Sequence, residues 1–279
     1  MTASCRNLEL HVAHGCNLTC ESCAHFSNQA HTGLLRPETA EAWFRQWHAR
    51  VVPEQFSLLG GEPTLNPNLS QIVLLARRYW EKSKIILVTN GFLLPRHDPQ
   101  LPKALARADV SMHISIHFDS VEYEHRLEPV RELVRQWESS YSIKVHWRPS
   151  ESRWTRRYHG WGASMKPFAD GDRRASWEHC NARWCVQLHD GKLWKCPPVA
   201  YLGMQKQRHG IGPEWDRYLA YTPLETDCTD AELREFLSRE EEPCCEMCPA
   251  KPPHFFLTSP LVPVGTLLKQ QRNESGDMA

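Results

Sequence analysis

Apolar positions recur along this chain with two alternating rhythms. Short runs rich in Val, Ile and Leu occur at Leu8–Val12, Gln55–Leu59, Lys84–Val88, Val110–Ile116 and Ser142–Trp147. Between them lie longer stretches, Pro37–Arg50, Asn68–Lys82, Pro102–Ala108 and Val121–Glu138, in which apolar residues return every three or four positions. The short runs have strand length and the long ones have helical period. Pro37 and Glu38 suit the first turn of a helix, through the fixed φ of proline and the attraction of a carboxylate to the helix N-terminus. Regular alternation of strand and helix predicts an α/β fold built on a parallel sheet. Five strands are legible, and a sixth only faintly.

Composition narrows the partners. The chain has 279 residues, with Lys plus Arg equal to Asp plus Glu at 33 each. A formal net charge of zero gives no bulk electrostatic reason to expect nucleic acid or an anionic membrane. No apolar run approaches a membrane span, and residues 1–15 lack the basic start and apolar block of a secretory signal. Eleven cysteines in such a chain point to metal rather than disulfides, and to a cytoplasmic location where thiols stay reduced.

Three of those thiols fall within eight residues, Cys16-Asn17-Leu18-Thr19-Cys20-Glu21-Ser22-Cys23, spaced C-x3-C-x2-C directly after the first strand run. Close thiolates are soft ligands that favour zinc, copper(I) or iron–sulfur clusters. A structural zinc needs four ligands, which His14 or His25 would have to complete. The other reading is a [4Fe–4S] cluster on three cysteines with one iron left open. After the second strand run comes Gly60-Gly61-Glu62-Pro63.

Together, in this order, the two motifs resemble those of the radical S-adenosylmethionine (radical SAM) enzymes, over roughly residues 7–250. The resemblance implies a partial (β/α)6, TIM-like barrel with working residues at the C-terminal strand ends. It also implies that the open iron binds the amino and carboxylate groups of S-adenosylmethionine. Reduction by an external one-electron donor, such as flavodoxin or ferredoxin, then gives a 5′-deoxyadenosyl radical that abstracts hydrogen from substrate. Gly60, Gly61, Glu62 and Pro63 are expected at the methionine end of the cofactor, Glu62 or nearby carbonyls accepting from its ammonium group. Asn90 lies in Thr89-Asn90-Gly91, similar to the family's turn near the ribose, although an ordinary strand-to-helix turn has the same form. Ser115 stands where relatives hydrogen-bond the cofactor. His117 replaces their usual Asp, either as a proton carrier or as a satisfied polar residue. Relatives place an aromatic side chain before the third Cys. Here that position is Ser22, and Phe26 is the candidate to pack on adenine. His117 and Arg148, both near strand ends, are the candidate catalytic side chains.

Four segments are expected: a barrel over 1–150, a connection over 151–178, an auxiliary domain over 179–256 and a tail over 257–279, polar and disordered from Gly265. The connection is crowded with Trp154, Arg156, Arg157, Tyr158, His159 and Trp161. It is either a substrate-facing surface or a loop packed on the rim. Cys180, Gly191 and Cys196 resemble the opening of SPASM and Twitch auxiliary-cluster domains, with Cys245-Glu246-Met247-Cys248 closing the site. The shorter, one-cluster Twitch form fits better. Cys185 competes with Cys180, and Cys244 with Cys245, as ligands of one auxiliary [4Fe–4S] cluster, and a structural zinc on the same two halves is the alternative. Cys5 and Cys228 have no partners in spacing.

The function expected is hydrogen abstraction from a small polar substrate of sugar or aminocyclitol type, giving oxidation or epimerisation. Oxidation needs an electron acceptor, and epimerisation needs a hydrogen donor such as a spare thiol. A peptide maturase is the alternative, although 15 residues before Cys16 leave little room for a leader-binding module. A non-catalytic protein with two zinc sites would leave Gly60–Pro63 without a reason.

Overall fold

The computed structural model describes residues 2–150 and 154–262; the polar stretch from Gly265 lies outside them. Five parallel strands carry the first half of the chain: β1 (Ala3–Ala13), β2 (Val51–Gly60), β3 (Lys84–Thr89), β4 (Ser111–Ile116) and β5 (Val145–Pro149). Helices α1 (Pro37–Trp47), α2 (Leu69–Tyr79), α3 (Leu101–Arg107) and α4 (Val121–Tyr141) connect them in turn. Further on, α5 (Arg173–Glu178) precedes β6 (Cys185–His189) and β7 (Lys192–Trp194), and α6 (Pro197–His209), α7 (Asp216–Leu219) and α8 (Asp230–Ser238) complete the chain.

Strand order is β5-β4-β3-β2-β1-β6-β7. This mostly parallel, open sheet is consistent with a partial TIM-like barrel. The sixth strand does not continue the series beyond β5. It comes from the C-terminal half and pairs parallel with the other side of β1, Asn7 opposite Cys185 and Leu10 opposite Leu188. Among the named strands of the described residues only β7 runs antiparallel, in a tight hairpin with His189 opposite Lys192. Asp190 and Gly191 both take positive φ, 52° and 74°, as a two-residue turn of matching twist requires. Trp47 of α1 donates its indole N–H to Gly191 O at 2.7 Å, tying that turn to the barrel.

Period-two alternation sorts the two faces of β1. Leu8, Leu10 and Val12 are fully buried against the helical layer with Phe44, Phe56 and Ile72, and each such leucine contributes about 1.5–3 kcal/mol. Asn7, Glu9 and His11 point to the opposite, inner face. There Ser57 Oγ donates to Asn7 Oδ1 at 2.7 Å and Gln187 Nε2 to Glu9 Oε2 at 2.7 Å. The barrel interior is therefore polar and hydrogen-bonded. A second apolar cluster, around Phe26, Tyr158, Tyr201, Trp215 and Met247, packs α6 and the C-terminal turns against the loop after β1.

Candidate active site

Backbone hydrogen bonds knit the loop after β1 to the end of β2. Gly61 N donates to Ala13 O and Glu62 N to Gly15 O, both at 2.8 Å. A Cβ on Gly61 would lie 2.0 Å from Gly15 O and 2.9 Å from Ser27 Cβ. The glycine is thus demanded by the chain's own cysteine-bearing loop. Gly61→Ala is expected to destabilise the protein by about 3 kcal/mol, the upper range for forced overpacking, measured by denaturant unfolding of the iron-free chain. Wild-type stability in that variant would refute the close approach.

That loop carries Cys16, Cys20 and Cys23 to the rim of one cavity of about 260 Å³, shared with Gly60, Gly61, Asn90, Ser115 and His117. Burial pushes the Cys16 and Cys20 thiols up. Burial acts most strongly on Cys23 and in the same direction, but the His25 side chain and its charge, with the backbone N–H groups of His25 and Ser27, together hold that thiol below its usual value. Asn90 Nδ2 donates to Asn17 Oδ1 at 2.7 Å and lies 3.8 Å from Cys16 Sγ.

Glu62 is placed differently from the expectation. Its carboxylate is fully buried and takes hydrogen bonds from Thr64 N, Thr64 Oγ1, Thr89 Oγ1 and Asn90 N. It locks the ends of β2 and β3 together, leaving its oxygens committed and the surrounding backbone to face a ligand. Pro63 starts the short 3-10 turn Pro63–Leu65 and is buried. Phe26 also departs: at φ 55° it turns into the second apolar cluster, 5.3 Å from the Tyr158 ring, and does not line the cavity.

His117 does line it, with a buried Nδ1 that has no partner. Burial lowers its pKa from 6.5 to about 4, so the ring is neutral at pH 7 and can accept a hydrogen bond. Arg148 instead sits exposed on the edge strand, its Nη1 3.3 Å from His113 Nδ1. The low value of His117 has a consequence for stability. Between pH 6.5 and 4 the unfolded chain binds a proton here that the folded chain does not, so stability is full above pH 6.5 and falls toward pH 4. His31 and His113, also lowered to about 4 chiefly by burial, act the same way. A His117→Phe protein is expected to lose less Tm than wild type across that window, and equal losses would refute the burial cost.

The connecting segment is a clamp. Arg157 N donates to Ser22 Oγ at 2.6 Å, Tyr158 OH to Asn28 Oδ1 at 3.1 Å and Trp161 Nε1 to Asn28 O at 3.0 Å. Tyr158 is buried, whereas Trp154 faces the cavity and donates its N–H to His117 O at 3.3 Å.

A second cavity, of about 310 Å³, is lined by Cys180, Cys185, Cys196, Cys244, Cys245 and Cys248. Cys196 occupies the N-cap of α6. Burial and the neighbouring sulfurs of Cys180, Cys248 and Cys245 push its thiol up. Burial and Cys180 raise Cys248 to about 12. Burial and the nearby Glu9 carboxylate push the Cys185 thiol up, with Asn7 Nδ2 3.6 Å from its sulfur, while the adjacent Cys244 and Cys245 split, Cys244 pushed up and Cys245 lowered to about 7. Among the described residues no three His, Cys, Asp or Glu side chains are gathered to hold a single metal ion. Each cysteine set instead surrounds a cavity. Ala24, His25 and Trp154 line both cavities. Of this shared wall, only the cysteine spacing had drawn attention to the loop; the inward polar row Asn7, Glu9, His11 was the signal in the sequence for what lies behind it.

Residues 10–145, which span β1 to the start of β5, match the family model of the radical SAM superfamily. This segment is a radical SAM domain. Such domains imply a [4Fe–4S] cluster together with S-adenosylmethionine, and three soft thiols around one cavity beside the Gly60–Gly61 backbone fit that pair. Over 117 residues the chain is 32% identical to a probable GTP 3′,8-cyclase of Aeropyrum pernix, covering 39% of this chain and 32% of that protein. Over 108 residues it is 34% identical to a probable GTP 3′,8-cyclase of Thermoplasma volcanium, covering 38% and 32%. The match thus spans about a third of the length of these relatives. The solved structure of BtrN in complex with AdoMet and 2-DOIA is similar in fold, with a TM-score of 0.50 at 17% identity over 85% of this chain and 88% of that one. No helix among the described residues is long and apolar enough to cross a membrane.

Proposed function

We propose that this chain is a radical SAM enzyme that takes a hydrogen atom from a small polar substrate of sugar or aminocyclitol type and oxidises or epimerises it. The observation that carries the reading is the pair of cysteine-lined cavities with Ala24, His25 and Trp154 as their common wall. A substrate at that wall would lie beside both. In the first cavity, Cys16, Cys20 and Cys23 would hold the [4Fe–4S] cluster, with the Gly60–Gly61 backbone, Asn90 and Ser115 facing S-adenosylmethionine. Bound there and reduced, the pair supplies a radical able to remove hydrogen from carbon.

In the second cavity, Cys180, Cys196, Cys245 and Cys248 are the proposed ligands of an auxiliary [4Fe–4S] cluster, which would supply one-electron acceptance. Cys196 and Cys248 each lie within electrostatic reach of Cys180 and Cys245, and Cys245 is the sulfur of the Cys244–Cys245 pair whose pKa is lowered, whereas Cys185 lies beside Glu9 and Asn7. His117, neutral and unpartnered in the first cavity, would accept a hydrogen bond from a substrate hydroxyl and orient it. Trp154 closes the wall and limits water. The Cys185 thiol, outside the ligand set and beside Glu9, favours epimerisation as the second reading, since a spare S–H is the hydrogen donor that outcome needs.

Anaerobic incubation with S-adenosylmethionine, reductant and a panel of aminocyclitols, sugars, a peptide library and GTP tests the reading. GTP is included because the curated relatives are named for it. Substrate-dependent 5′-deoxyadenosine with the sugar-type compounds is expected. Turnover confined to GTP or peptides would overturn the substrate class while keeping the chemistry.

A further inference from the structure

The three-cysteine loop does not order itself. Between Cys16 and Cys23 the backbone forms neither helix nor strand, so the entropy lost in bringing three thiols together has to be offset by contacts from elsewhere. The far end of the chain supplies them. Thr19 N donates to Pro260 O at 2.9 Å. The Thr19 hydroxyl donates to Val262 O at 2.9 Å, with Pro260 O 3.2 Å from the same oxygen. Thr19 is buried and directly precedes the buried Cys20.

The segment 253–262 is held in its turn. Arg156 N donates to Pro253 O at 2.9 Å and Phe255 N to Trp154 O at 3.2 Å, with Thr155 opposite His254 in an antiparallel bridge. Phe255 and Leu257 pack on the core while Phe256 between them is exposed, the alternation of an extended segment. This two-stranded ribbon grips the loop again between Cys20 and Cys23. Arg156 pairs with Glu21 and lies over the Phe255 ring, 4.6 Å from its centre. Arg157 N donates to Ser22 Oγ at 2.6 Å. Ser22 has φ 61°, a left-handed conformation that a non-glycine residue keeps only where its surroundings impose it. The ribbon lies wholly outside residues 10–145, the segment that the family model matches.

We infer that Thr19 is a positioning residue for the cluster on Cys16, Cys20 and Cys23, and that the ribbon of residues 154–157 and 253–262 is the latch it engages. The latch holds the loop in its ligating shape and keeps water from Cys20. The inference rests on the reading of those three cysteines as cluster ligands. Thr19, Glu21 and Ser22 all stand between ligands, so a loop released at these points loses the convergence of its thiols without any thiol being changed. Supporting contacts of this kind fix the ligands of metal sites generally. Trp154, wall to both cavities, is carried on the same ribbon, which makes the latch and the wall one piece.

Anaerobic release of iron from the reconstituted full chain to a ferrous chelator tests this, followed beside the decay of the EPR signal that S-adenosylmethionine perturbs. Thr19→Val keeps the branched shape and removes the donor to Val262 O. It is expected to lose that cluster about tenfold faster than wild type, within the range for a buried polar group left unpaired. Thr19→Ser keeps the hydroxyl and is expected to restore the rate to within about twofold. Opening of one loop lies below global unfolding, so the iron-free Thr19→Val chain should keep the wild-type Tm. If the hydroxyl served only overall stability, a tenfold effect would appear as a Tm lower by about 3–5 °C. That fall, a wild-type rate in Thr19→Val, or no recovery in Thr19→Ser overturns the inference. If Thr19→Val takes up no iron, Ser22→Ala decides, since it removes the acceptor for Arg157 N: faster decay of the same signal supports the latch and a wild-type rate overturns it. A wild-type chain binding no iron on these thiols would overturn the underlying reading instead, and iron and sulfide analysis detects that before any release is measured.

Discussion

A Cys20→Ala protein is expected to lose reductive cleavage of S-adenosylmethionine by about three orders of magnitude or more, equivalent to at least about 4 kcal/mol. Cys16→Ala and Cys23→Ala should do the same. Each thiol would anchor a separate iron, so no ligand is redundant, and alanine leaves nothing soft to replace it. Cys20 is the sharpest case because it is buried, at 7% exposure, where water has little access to substitute as a ligand. The measurement is 5′-deoxyadenosine formed with a strong chemical reductant, alongside iron and sulfide content. Normal cleavage by the Cys20→Ala protein would remove the first cavity from the mechanism.

Cys196→Ala is expected to separate the two halves of the chemistry. Wild type should carry roughly eight irons per chain from two four-iron clusters, and the variant roughly four. Cleavage of S-adenosylmethionine should persist while formation of oxidised product disappears. Cys196 is the best probe because it stands at the start of α6 and its sulfur lies among Cys180, Cys245 and Cys248. Finding about four irons and one zinc in the wild type would instead make the C-terminal site structural, because zinc accepts no electron. Epimerisation with Cys185 as donor would then be the better account.

Much of the barrel half was legible because its signals are local. Leu8–Val12 marks the inner part of β1 (Ala3–Ala13), and Val121–Glu138 closely anticipates α4 (Val121–Tyr141). The Asp190–Gly191 pair at the β6–β7 turn is likewise a local signal, since two-residue hairpins favour Asp-Gly. What escaped depends on distant pairing. Val186 and Leu188 are too short a run to call a strand until Asn7 and Leu10 are placed beside them. Glu62 looked free because Thr64, Thr89 and Asn90, which saturate it, come partly from another strand end. Phe26 looked available to a cofactor because its positive φ, which turns it away, leaves no mark in composition. The aromatic-rich segment packs Tyr158 inward and turns Trp154 toward the cavities, a division that depends on tertiary placement rather than on composition.

The placement of β6 beside β1 also bears on how the protein is born. Asn7 and Cys185 are 178 residues apart, so at about 5–20 residues per second a ribosome needs roughly ten to forty seconds between making one strand and its neighbour. Through that interval the first strand emerges with one flank open, a row of N–H and C=O groups of the kind that recruits foreign strands. The inward row of Asn7, Glu9 and His11, useful later to the chemistry, then serves as protection, since polar and charged side chains discourage such pairing. Nascent chains stalled before residue 185 should therefore depend on chaperones far more than finished ones.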